Sequence, residues 1–499
     1  MNENVPSRSA LRHILAILSG PVVFVLFLLL PPLDGLTPLG MKCVAAALWI
    51  ILWWMTDAFP IALTSLFSLV LYSLLGVMKP LAAFGFMGNP SIILLLGAML
   101  LLGVWKESKL VERYAYWAIG LSFVRGRPLR LLLVFSLAAG LLSMLVPNIP
   151  VAILFVSIAV AMAKGVNAER GTPLYRCLCL SSGVSSALGG AGTPIGGAPN
   201  LVVIGVIASA LHYDIQFWEW SAIGFPMAIL WLLGMVVICW FIFLRGDPTR
   251  EIPVNIARQR LAGLGPVTRH EHIAMGTMLL ALLLRSVGEP IARSLGLPFA
   301  KMLTAPLIAL FCGCLVFFIP LKTDAGGRVR FSLTWQEGLR AVNWDILIFV
   351  AGALAFGQML INGGVDKWIA GIIAGLLGEM SPTLVWIVIM TIAGVVSQAF
   401  SNVAVIGLLL PVTASLAQQY GLNPVVTCLT VGMVANIGIM FPFSSPPVAA
   451  AIMGSDGYVE PPDFLKSALP ILVFAAATAL LVGSVLGDIV FPVNLPAAR

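Results

Sequence analysis

The sequence predicts an all-α, polytopic membrane protein built as an inverted repeat, with about 11 transmembrane helices and two re-entrant hairpins. Of its 499 residues, 60% are hydrophobic and only 10% are charged, whereas a soluble domain averages about a quarter charged residues. Apolar runs of near-membrane length recur along the whole chain. Two long apolar regions are each interrupted by polar residues, and they occupy corresponding places in the two halves.

Apolar runs that approach twenty residues place the spans in order, with ends set to within several positions. The first span, 12–31, follows basic residues but lacks a small-residue cleavage site, so we interpret it as a retained span. The other spans are expected at 41–56, 61–77, 89–104, 173–212, 222–244, 271–290, 298–320, 344–360, 424–455 and 465–490. The regions 129–164 and 382–419 break in the middle, and we predict that both are re-entrant hairpins.

The distribution of positive charge supports this arrangement. When the N-terminus is placed inside, most of the 28 lysine and arginine residues fall in inner loops, as the positive-inside rule requires. We therefore expect a multi-pass protein of the bacterial inner membrane with a cytoplasmic N-terminus. The net charge is +7. Because the basic residues are concentrated in the loops on one side of the membrane, this charge does not indicate a nucleic-acid partner. A polar, basic stretch, 245–270, separates the two halves and is expected to be a cytoplasmic linker.

The two halves match each other at fixed offsets. Three pairs lie 254 residues apart: Asn89 and Asn343, Ser143 and Ser397, and Asn148 and Asn402. A second offset, 248, places 193–194 and 198–199 opposite 441–442 and 446–447. An odd number of predicted spans separates the matched segments, so the halves have opposite orientation. Paired interrupted segments in inverted halves are the best sequence indication of a transporter's binding site.

Each predicted hairpin has a polar break between two apolar arms. Asn148 lies at the first break and Asn402 at the second, each preceded by a serine, Ser143 or Ser397, in the arm that ends there. The arm that begins at each break directs free N–H groups and a positive dipole end toward the middle of the bilayer, where they can hold an anion. The arm that ends there offers carbonyl oxygens that can bind a cation together with Ser and Asn oxygens.

The interrupted spans form a second pair of breaks. The stretch 189–200 combines five glycines with two prolines and cannot remain helical. Its counterpart, 436–447, contains three prolines and is expected to break as well. The two stretches therefore provide a second wall for a site between the hairpin tips.

The chemistry of the broken regions excludes several functions. The stretches 129–164, 176–212, 382–419 and 424–455 contain no Asp, no Glu and no mid-membrane Lys or Arg. Proton-coupled carriers usually need a titrating group, so coupling to Na⁺ through neutral oxygens, or exchange without an ion, is favoured. An enzyme would need a nucleophile–base pair or a metal cluster at membrane depth. The seven cysteines form no CxxC pair and the four histidines fall near segment ends, so we expect no cofactor.

Four stretches carry a resemblance to a known family: 54–64 (WMTDAFPIALT), 192–200 (GTPIGGAPN), 401–403 (SNV) and 442–447 (PFSSPP). With these motifs the chain resembles the divalent anion:sodium symporters, which carry dicarboxylates, citrate or sulfate, over essentially its whole length. The resemblance implies a homodimer in which a scaffold domain stays at the dimer interface and a transport domain moves as an elevator. It also implies two Na⁺ sites, each between a hairpin tip and the facing broken span.

The resemblance assigns residues to these sites. The first Na⁺ site would use Ser143, Asn148 and the backbone near Gly189–Gly192, and the second Ser397, Asn402 and the backbone near Ala435–Asn436. The substrate would lie between the tips, against Asn148, Ile149, Thr193, Pro194, Asn402, Val403, Pro442 and Ser444. The expected domains are 1–128 (scaffold helices and the start of repeat 1), 129–212 (first transport half), 213–381 (scaffold helices of both repeats, with the linker), 382–456 (second transport half) and 457–499 (C-terminal helix).

The hairpin tips depart from the family motif, which is Ser-Asn-Thr. Ile149 and Val403 replace both threonines, and each loses a hydroxyl that in the family helps to hold carboxylates. Loss of such a hydrogen bond can weaken binding of a polar substrate by orders of magnitude. The change disfavours a succinate-like dicarboxylate and is compatible with a smaller, less charged or partly apolar anion.

Three functions remain open from sequence. The first is a secondary active transporter of small anions, dicarboxylate-, tricarboxylate- or sulfate-like, coupled to Na⁺. The second is a Na⁺-independent exchanger of the same fold. The third, an arsenite-type or other ion permease, explains the paired asparagine tips no better than the other two.

Overall fold

The computed structural model describes residues 10–56, 58–124, 127–245, 254–298, 300–323, 329–442 and 444–492. Several residues singled out in the sequence lie outside these ranges, namely Asp57, Phe443, and 246–253 of the predicted linker. The described chain is almost entirely helical, which confirms the predicted all-α class.

The helices fall into two runs of similar order. The first run consists of α1 (Ala10–Leu28), α2 (Pro38–Thr56), α3 (Ile61–Leu74), α4 (Pro80–Gly85), α5 (Pro90–Ser108), α6 (Leu110–Ile119), α7 (Pro128–Ser143), α8 (Asn148–Gly165), α9 (Pro173–Gly190), α10 (Ala198–Leu211) and α11 (Phe217–Cys239). The second run consists of α12 (Val254–Gly263), α13 (Arg269–Leu283), α14 (Glu289–Ser294), α15 (Ala305–Leu315), α16 (Trp335–Ala341), α17 (Trp344–Asn362), α18 (Val365–Leu377), α19 (Pro382–Ala399), α20 (Asn402–Gln419), α21 (Pro424–Ala435), α22 (Pro446–Gly454) and α23 (Pro461–Val490). Proline occupies the first turn of many of these helices, where its missing N–H removes no helical bond.

Seven helical stretches among the described residues are long and apolar enough to cross a bilayer. They include α8, α19 and α20, which are hairpin arms, and α17 and α23. Seven shorter apolar helices of 10–17 residues accompany them. The chain is therefore a polytopic membrane protein, and the number of about 11 spans stays a prediction.

The internal repeat is visible in the helix boundaries. Helices α5 and α17 begin at Pro90 and Trp344, and α8 and α20 begin at Asn148 and Asn402, the same offset in each case. The packing repeats as well: α5 packs on α15, and the counterpart of α5, α17, packs on α3. Likewise α10 of the first half packs on α20 and α21, while α22 of the second half packs on α8 and α9. Each half of the repeat therefore packs one helix against the equivalent helices of the other half.

Both predicted hairpins are present. Helix α7 ends at Ser143 and α8 begins at Asn148, and their counterparts α19 and α20 meet at Phe400 and Ser401. Pro150 lies in the first turn of α8, where a proline is tolerated. Both hairpin tips are therefore formed by a helix end and a helix start that lie a few residues apart.

Both predicted interruptions are present too. Helix α9 ends at Gly190, a 3₁₀ turn covers Pro194–Gly196, and α10 follows. On the other side α21 ends at Ala435 and α22 begins only at Pro446. Nearly all residues of α9 and every residue of α21 from its second position onward are buried, so these two helices form the core around which the hairpins pack.

The sequence did not predict the shorter elements. Strands β1 (Pro320–Thr323) and β2 (Val329–Phe331) pair antiparallel, with Pro320 opposite Phe331. Helices α6 and α18 each connect a long helix to a hairpin and are amphipathic. Such elements contain no continuous apolar run of membrane length, so a search for spans passes over them.

Candidate functional site

Both hairpin tips and both interrupted helices meet around one cavity of about 280 Å³. The tips contribute Pro147, Asn148, Ile149, Ser401, Asn402 and Val403. The interruptions contribute, among others, Ile195, Pro199, Asn436, Ser444, Ser445 and Pro447. The two halves of the repeat thus form a single site, with its centre between the two tips.

Four helices begin at this cavity: α8, α10, α20 and α22. The first N–H groups of a helix have no partner within the helix, and that end carries a partial positive charge. A carboxylate can be bound there without a basic side chain, and none of the described residues that line the cavity has an ionisable side chain. The four ends are not equivalent, because Pro446 and Pro447 remove the first two N–H groups of α22.

The opposite wall of the cavity is apolar. It is formed by helices α3, α5 and α17, including Ile61, Leu95, Ala98, Met99, Leu102 and Phe349. All the polar side chains that line the cavity therefore come from the hairpins and the interrupted helices.

At the first tip, three oxygen atoms lie close together. The Ser143 hydroxyl is 2.6 Å from Asn148 Oδ1 and 2.8 Å from the Ser186 carbonyl oxygen. A hydroxyl carries one proton and can donate to only one of these acceptors at a time, so lone pairs remain free within the cluster. Gly190 lies against the same asparagine, since a Cβ there would be 2.5 Å from Asn148 Oδ1. This cluster of neutral oxygens can bind a cation such as Na⁺.

At the second tip, one oxygen atom lacks a partner. Asn402 donates from Nδ2 to the Asn436 carbonyl oxygen at 2.9 Å, while its Oδ1 is buried and accepts no hydrogen bond within the described part of the chain. Gly438 faces this oxygen and the Ser397 carbonyl, because a Cβ there would lie 2.3 Å and 2.7 Å from the two atoms. A buried amide oxygen without a donor is costly, and a bound cation would satisfy it.

A bridge of two asparagines connects the interruptions. Asn200 donates from Nδ2 to the carbonyl oxygens of Gly190 at 2.7 Å and Thr193 at 2.8 Å. Its Oδ1 accepts from Asn436 Nδ2 at 3.1 Å. Because Gly190 contacts Asn148 and Asn436 contacts Asn402, one network of amides links the two tips.

Gln398 holds the unwound segment after α21. Its Nε2 donates to the Ile437 carbonyl at 2.6 Å, and its Oε1 accepts from the backbone N–H groups of Ile439 and Met440, both at 3.0 Å. Backbone groups that the break frees from helical bonding are thereby satisfied. The segment can then remain unwound inside the protein.

The predicted substrate residues fall into two groups. Five of them line the cavity: Asn148, Ile149, Asn402, Val403 and Ser444. The other three, Thr193, Pro194 and Pro442, are not among the lining residues. Thr193 is buried and donates its hydroxyl to the Met144 carbonyl, which ties the first interruption to the first tip. Substrate contact by these three residues stays a prediction.

The predicted Na⁺ residues are gathered at the two tips. Ser143 and Asn148 are in direct contact, Gly189 packs on the backbone of Gly140, and Gly192 lies against Met144. In the second half, Ser397 and Asn402 lie against Gly438, and Asn402 donates to the carbonyl oxygen of Asn436, just after the end of α21 at Ala435. The structure thus places each predicted set between one tip and the interrupted helix that faces it.

Several residues of the site were not predicted. Gly438 contacts Asn402 and is related by the second repeat offset to Gly190, which lies within the predicted stretch 189–192 and contacts Asn148, so comparison of the halves could have found Gly438. Asn200 and Gln398 have no polar counterpart in the other half, because 448 is valine and 144 is methionine. Repeat symmetry gives no signal for such residues.

Comparisons with known proteins identify a family and several related transporters. A family model described as "Citrate transporter" (CitMHS) matches residues 51–432. The sodium-dependent dicarboxylate transporter SdcS of Staphylococcus saprophyticus is 30% identical, covering 97% of this chain and 94% of that protein. The protein of the same name from Staphylococcus aureus strain USA300 is 30% identical over 89% of this chain and 85% of its own.

Two solved structures share the fold. The Alcanivorax borkumensis YdaH transporter aligns with a TM-score of 0.54 at 15% identity, over 97% of this chain and 98% of its own. Neisseria gonorrhoeae MtrF, whose structure is described as illuminating a class of antimetabolite efflux pumps, aligns with a TM-score of 0.51 at 13% identity, over 98% and 96%. At these identities the likeness concerns the fold alone.

Proposed function

Because the chain belongs to the citrate transporter family, whose members are secondary anion transporters, we propose that it carries a small carboxylate anion across the membrane together with Na⁺. Relatives that are 30% identical over most of the chain are named sodium-dependent dicarboxylate transporters. Their name supports both a carboxylate substrate and Na⁺ as the coupling ion.

The observation that carries the Na⁺ assignment is the unpartnered Oδ1 of Asn402. It is buried beside the Ser397 carbonyl and Gly438, in a site where no described lining residue is ionisable. Proton coupling would need a titrating group in the pathway. Neutral oxygens at the end of a broken helix are the ligands that Na⁺-coupled transporters use.

We propose that the hairpins and interrupted helices move together as a transport domain against a scaffold. The side chains with which α3, α5 and α17 line the cavity are apolar, so they offer no hydrogen bonds that would have to break during such a movement. Helix α11 packs on α7, α9 and α23, and Trp231 of α11 donates to Thr478 of α23 at 2.8 Å. We therefore assign α11 and α23 to the transport domain. The sequence instead predicts α11 as part of the scaffold, within 213–381.

The resemblance to divalent anion:sodium symporters supports a homodimer, and the charge distribution supports the bacterial inner membrane with a cytoplasmic N-terminus. Both remain parts of the proposal. In such a dimer the scaffold helices would form the subunit interface and the transport domains would lie outside it.

Uptake into proteoliposomes tests the proposed function. With an inward Na⁺ gradient, the purified protein should accumulate at least one labelled anion from a panel of succinate, citrate, sulfate and monocarboxylates. Replacing Na⁺ by K⁺ should abolish accumulation, and Asn402→Ala should do so even with Na⁺, because the variant loses the unpartnered oxygen.

The same assay separates the alternatives. Equal uptake in K⁺, dependent on an anion inside the vesicles, would identify an exchanger and contradict Na⁺ coupling. Accumulation driven by a pH gradient alone would contradict the assignment of the neutral oxygens to the coupling ion.

A further inference from the structure

The two halves of the repeat contribute chemically different side chains to the cavity. Five of the six polar side chains that line it come from the second half: Ser401, Asn402, Asn436, Ser444 and Ser445. The first half contributes only Asn148, whose Oδ1 already lies within hydrogen-bonding distance of Ser143. The remaining side chains that the first half brings are apolar, including Pro147, Ile149, Ala187, Ile195 and Pro199.

The backbone donors at the two tips show the same asymmetry. Helix α20 begins with Asn402, Val403 and Ala404, and their three N–H groups have no helical partner. Helix α8 begins with Asn148, Ile149 and Pro150, and the proline removes one of the three donors. The second tip is therefore better able to hold a carboxylate than the first.

The second residue of α8 and of α20 adds to this difference between the two tips. Ile149 is 37% exposed and faces the cavity, whereas Val403 is only 7% exposed. An isoleucine in this position offers apolar surface where a second carboxylate of a symmetric diacid would lie. A carboxylate that leaves water and finds too few donors is strongly disfavoured, while an apolar group gains from the transfer.

We infer that the preferred substrate is an amphiphilic anion, with one carboxylate at the second tip and an apolar body against the first half of the repeat. This inference rests on the proposed function and makes its substrate class specific. The cavity volume of about 280 Å³ lies just below the usual range of ligand pockets, roughly 300–1,000 Å³. The apolar body is accordingly a short aliphatic group or a single ring.

A matched pair of anions tests the inference directly. Succinate and 4-methylpentanoate share one carboxylate and two methylenes, and differ in whether the far end is a second carboxylate or an isopropyl group of similar shape. Affinity is measured from thermal stabilisation of the purified, full-length protein in NaCl, since a ligand that binds the native state raises the unfolding temperature. We expect 4-methylpentanoate to bind at least about tenfold more tightly than succinate.

Three variants locate the effect. Ile149→Thr should move the affinity ratio toward succinate, whereas Val403→Thr, in the polar half, should change the ratio much less. Ile153→Thr is the matched control, because Ile153 lies one turn further along α8, is 50% exposed and does not line the cavity. The control should leave the ratio unchanged.

The outcomes are distinct. Equal or tighter binding of succinate by the parent protein overturns the inference and leaves the proposed function standing. An unchanged ratio in Ile149→Thr also overturns it, because the apolar end would then lie elsewhere. Failure of every anion to stabilise the protein in NaCl overturns the proposed function along with the inference.

Discussion

Gly438 passes directly beside two oxygen atoms of the second tip. A Cβ at this position would lie 2.3 Å from Asn402 Oδ1 and 2.7 Å from the Ser397 carbonyl oxygen. Such separations are shorter than any van der Waals contact, so a side chain there would displace the amide. The role of this glycine is therefore to let the interrupted helix approach the asparagine.

This close approach makes Gly438→Ala a specific test of the proposed second Na⁺ site. We expect the Na⁺ concentration for half-maximal uptake to rise at least tenfold, a loss of about 1.4 kcal/mol of binding free energy. Gly371→Ala is the control, because no atom lies within 4 Å of a Cβ at Gly371, in the middle of α18. If Gly438→Ala keeps the Na⁺ dependence of the parent, the oxygens at Gly438 do not bind the ion.

Comparison of the two halves of the sequence predicts the paired asparagines. It does not predict the side chain of Gln398, which holds the unwound segment beside Asn402. Asn148 and Asn402 were found because one offset relates them and the chain breaks at both. Gln398 lies within the same short motif as Ser397, yet only the structure shows its amide bonded to three backbone groups of 437–440. A side chain that satisfies backbone groups forty residues away leaves no pattern in the sequence.

At the scale of elements, the two interruptions are joined by the Asn200–Asn436 bridge. Asn200 lies near the start of α10 and Asn436 just after the end of α21, so the bridge connects the two interrupted helices directly. Asn200 also donates to the carbonyl oxygen of Gly190, and Asn436 accepts from Asn402 of the second tip. Under the proposed assignment, the bridge would link the two Na⁺ sites through two amide groups.

The bridge predicts that the two sites bind Na⁺ cooperatively. In Asn200→Ala the Hill coefficient for Na⁺ activation of uptake should fall toward one, and loss of the buried bonds should cost about 1–3 kcal/mol of stability. The measurements are Na⁺ titrations of uptake and the unfolding temperature, repeated for Asn436→Ala and the double variant.

The double-mutant cycle distinguishes coupling from simple damage. Residues in one hydrogen-bonded network show non-additive effects of roughly 0.5–3 kcal/mol, so the double variant should be less destabilised than the sum of the single variants. Strict additivity, together with an unchanged Hill coefficient in Asn200→Ala, would contradict the coupling.

The sequence predicts the helix boundaries well where an interruption of an apolar run occurs at the equivalent position in both halves of the repeat. The helices α8 and α20 begin at the two asparagines that define the offset, and both interruptions lie where glycines and prolines cluster. It failed for α6, α18, β1 and β2, which are short or amphipathic. Their conformation depends on tertiary packing, which the length of an apolar run does not report.

At the scale of the whole molecule, the proposed elevator requires that some interfaces slide and others stay intact. The interface of α17 with α20 joins the proposed scaffold to the second hairpin, and a Cβ at Gly407 would lie 3.8 Å from that of Ala353. The interface of α8 with α22 lies inside the proposed transport domain, and a Cβ at Gly454 would lie 3.9 Å from that of Val156. Both distances fit a disulfide, whose Cβ atoms are about 3.5–4.5 Å apart.

These two cysteine pairs give opposite predictions. Oxidation of the pair Ala353→Cys and Gly407→Cys should stop Na⁺-driven uptake, because it locks α20 to the scaffold, and a reductant should restore uptake. Oxidation of the pair Val156→Cys and Gly454→Cys should leave uptake close to that of the reduced protein, because α8 and α22 move as one body. Each single-cysteine variant serves as a control for the substitution itself, and cross-linking is verified by mass spectrometry. Full uptake by the cross-linked α17–α20 pair would mean that these helices move together, and the division into scaffold and transport domain would then have to be redrawn.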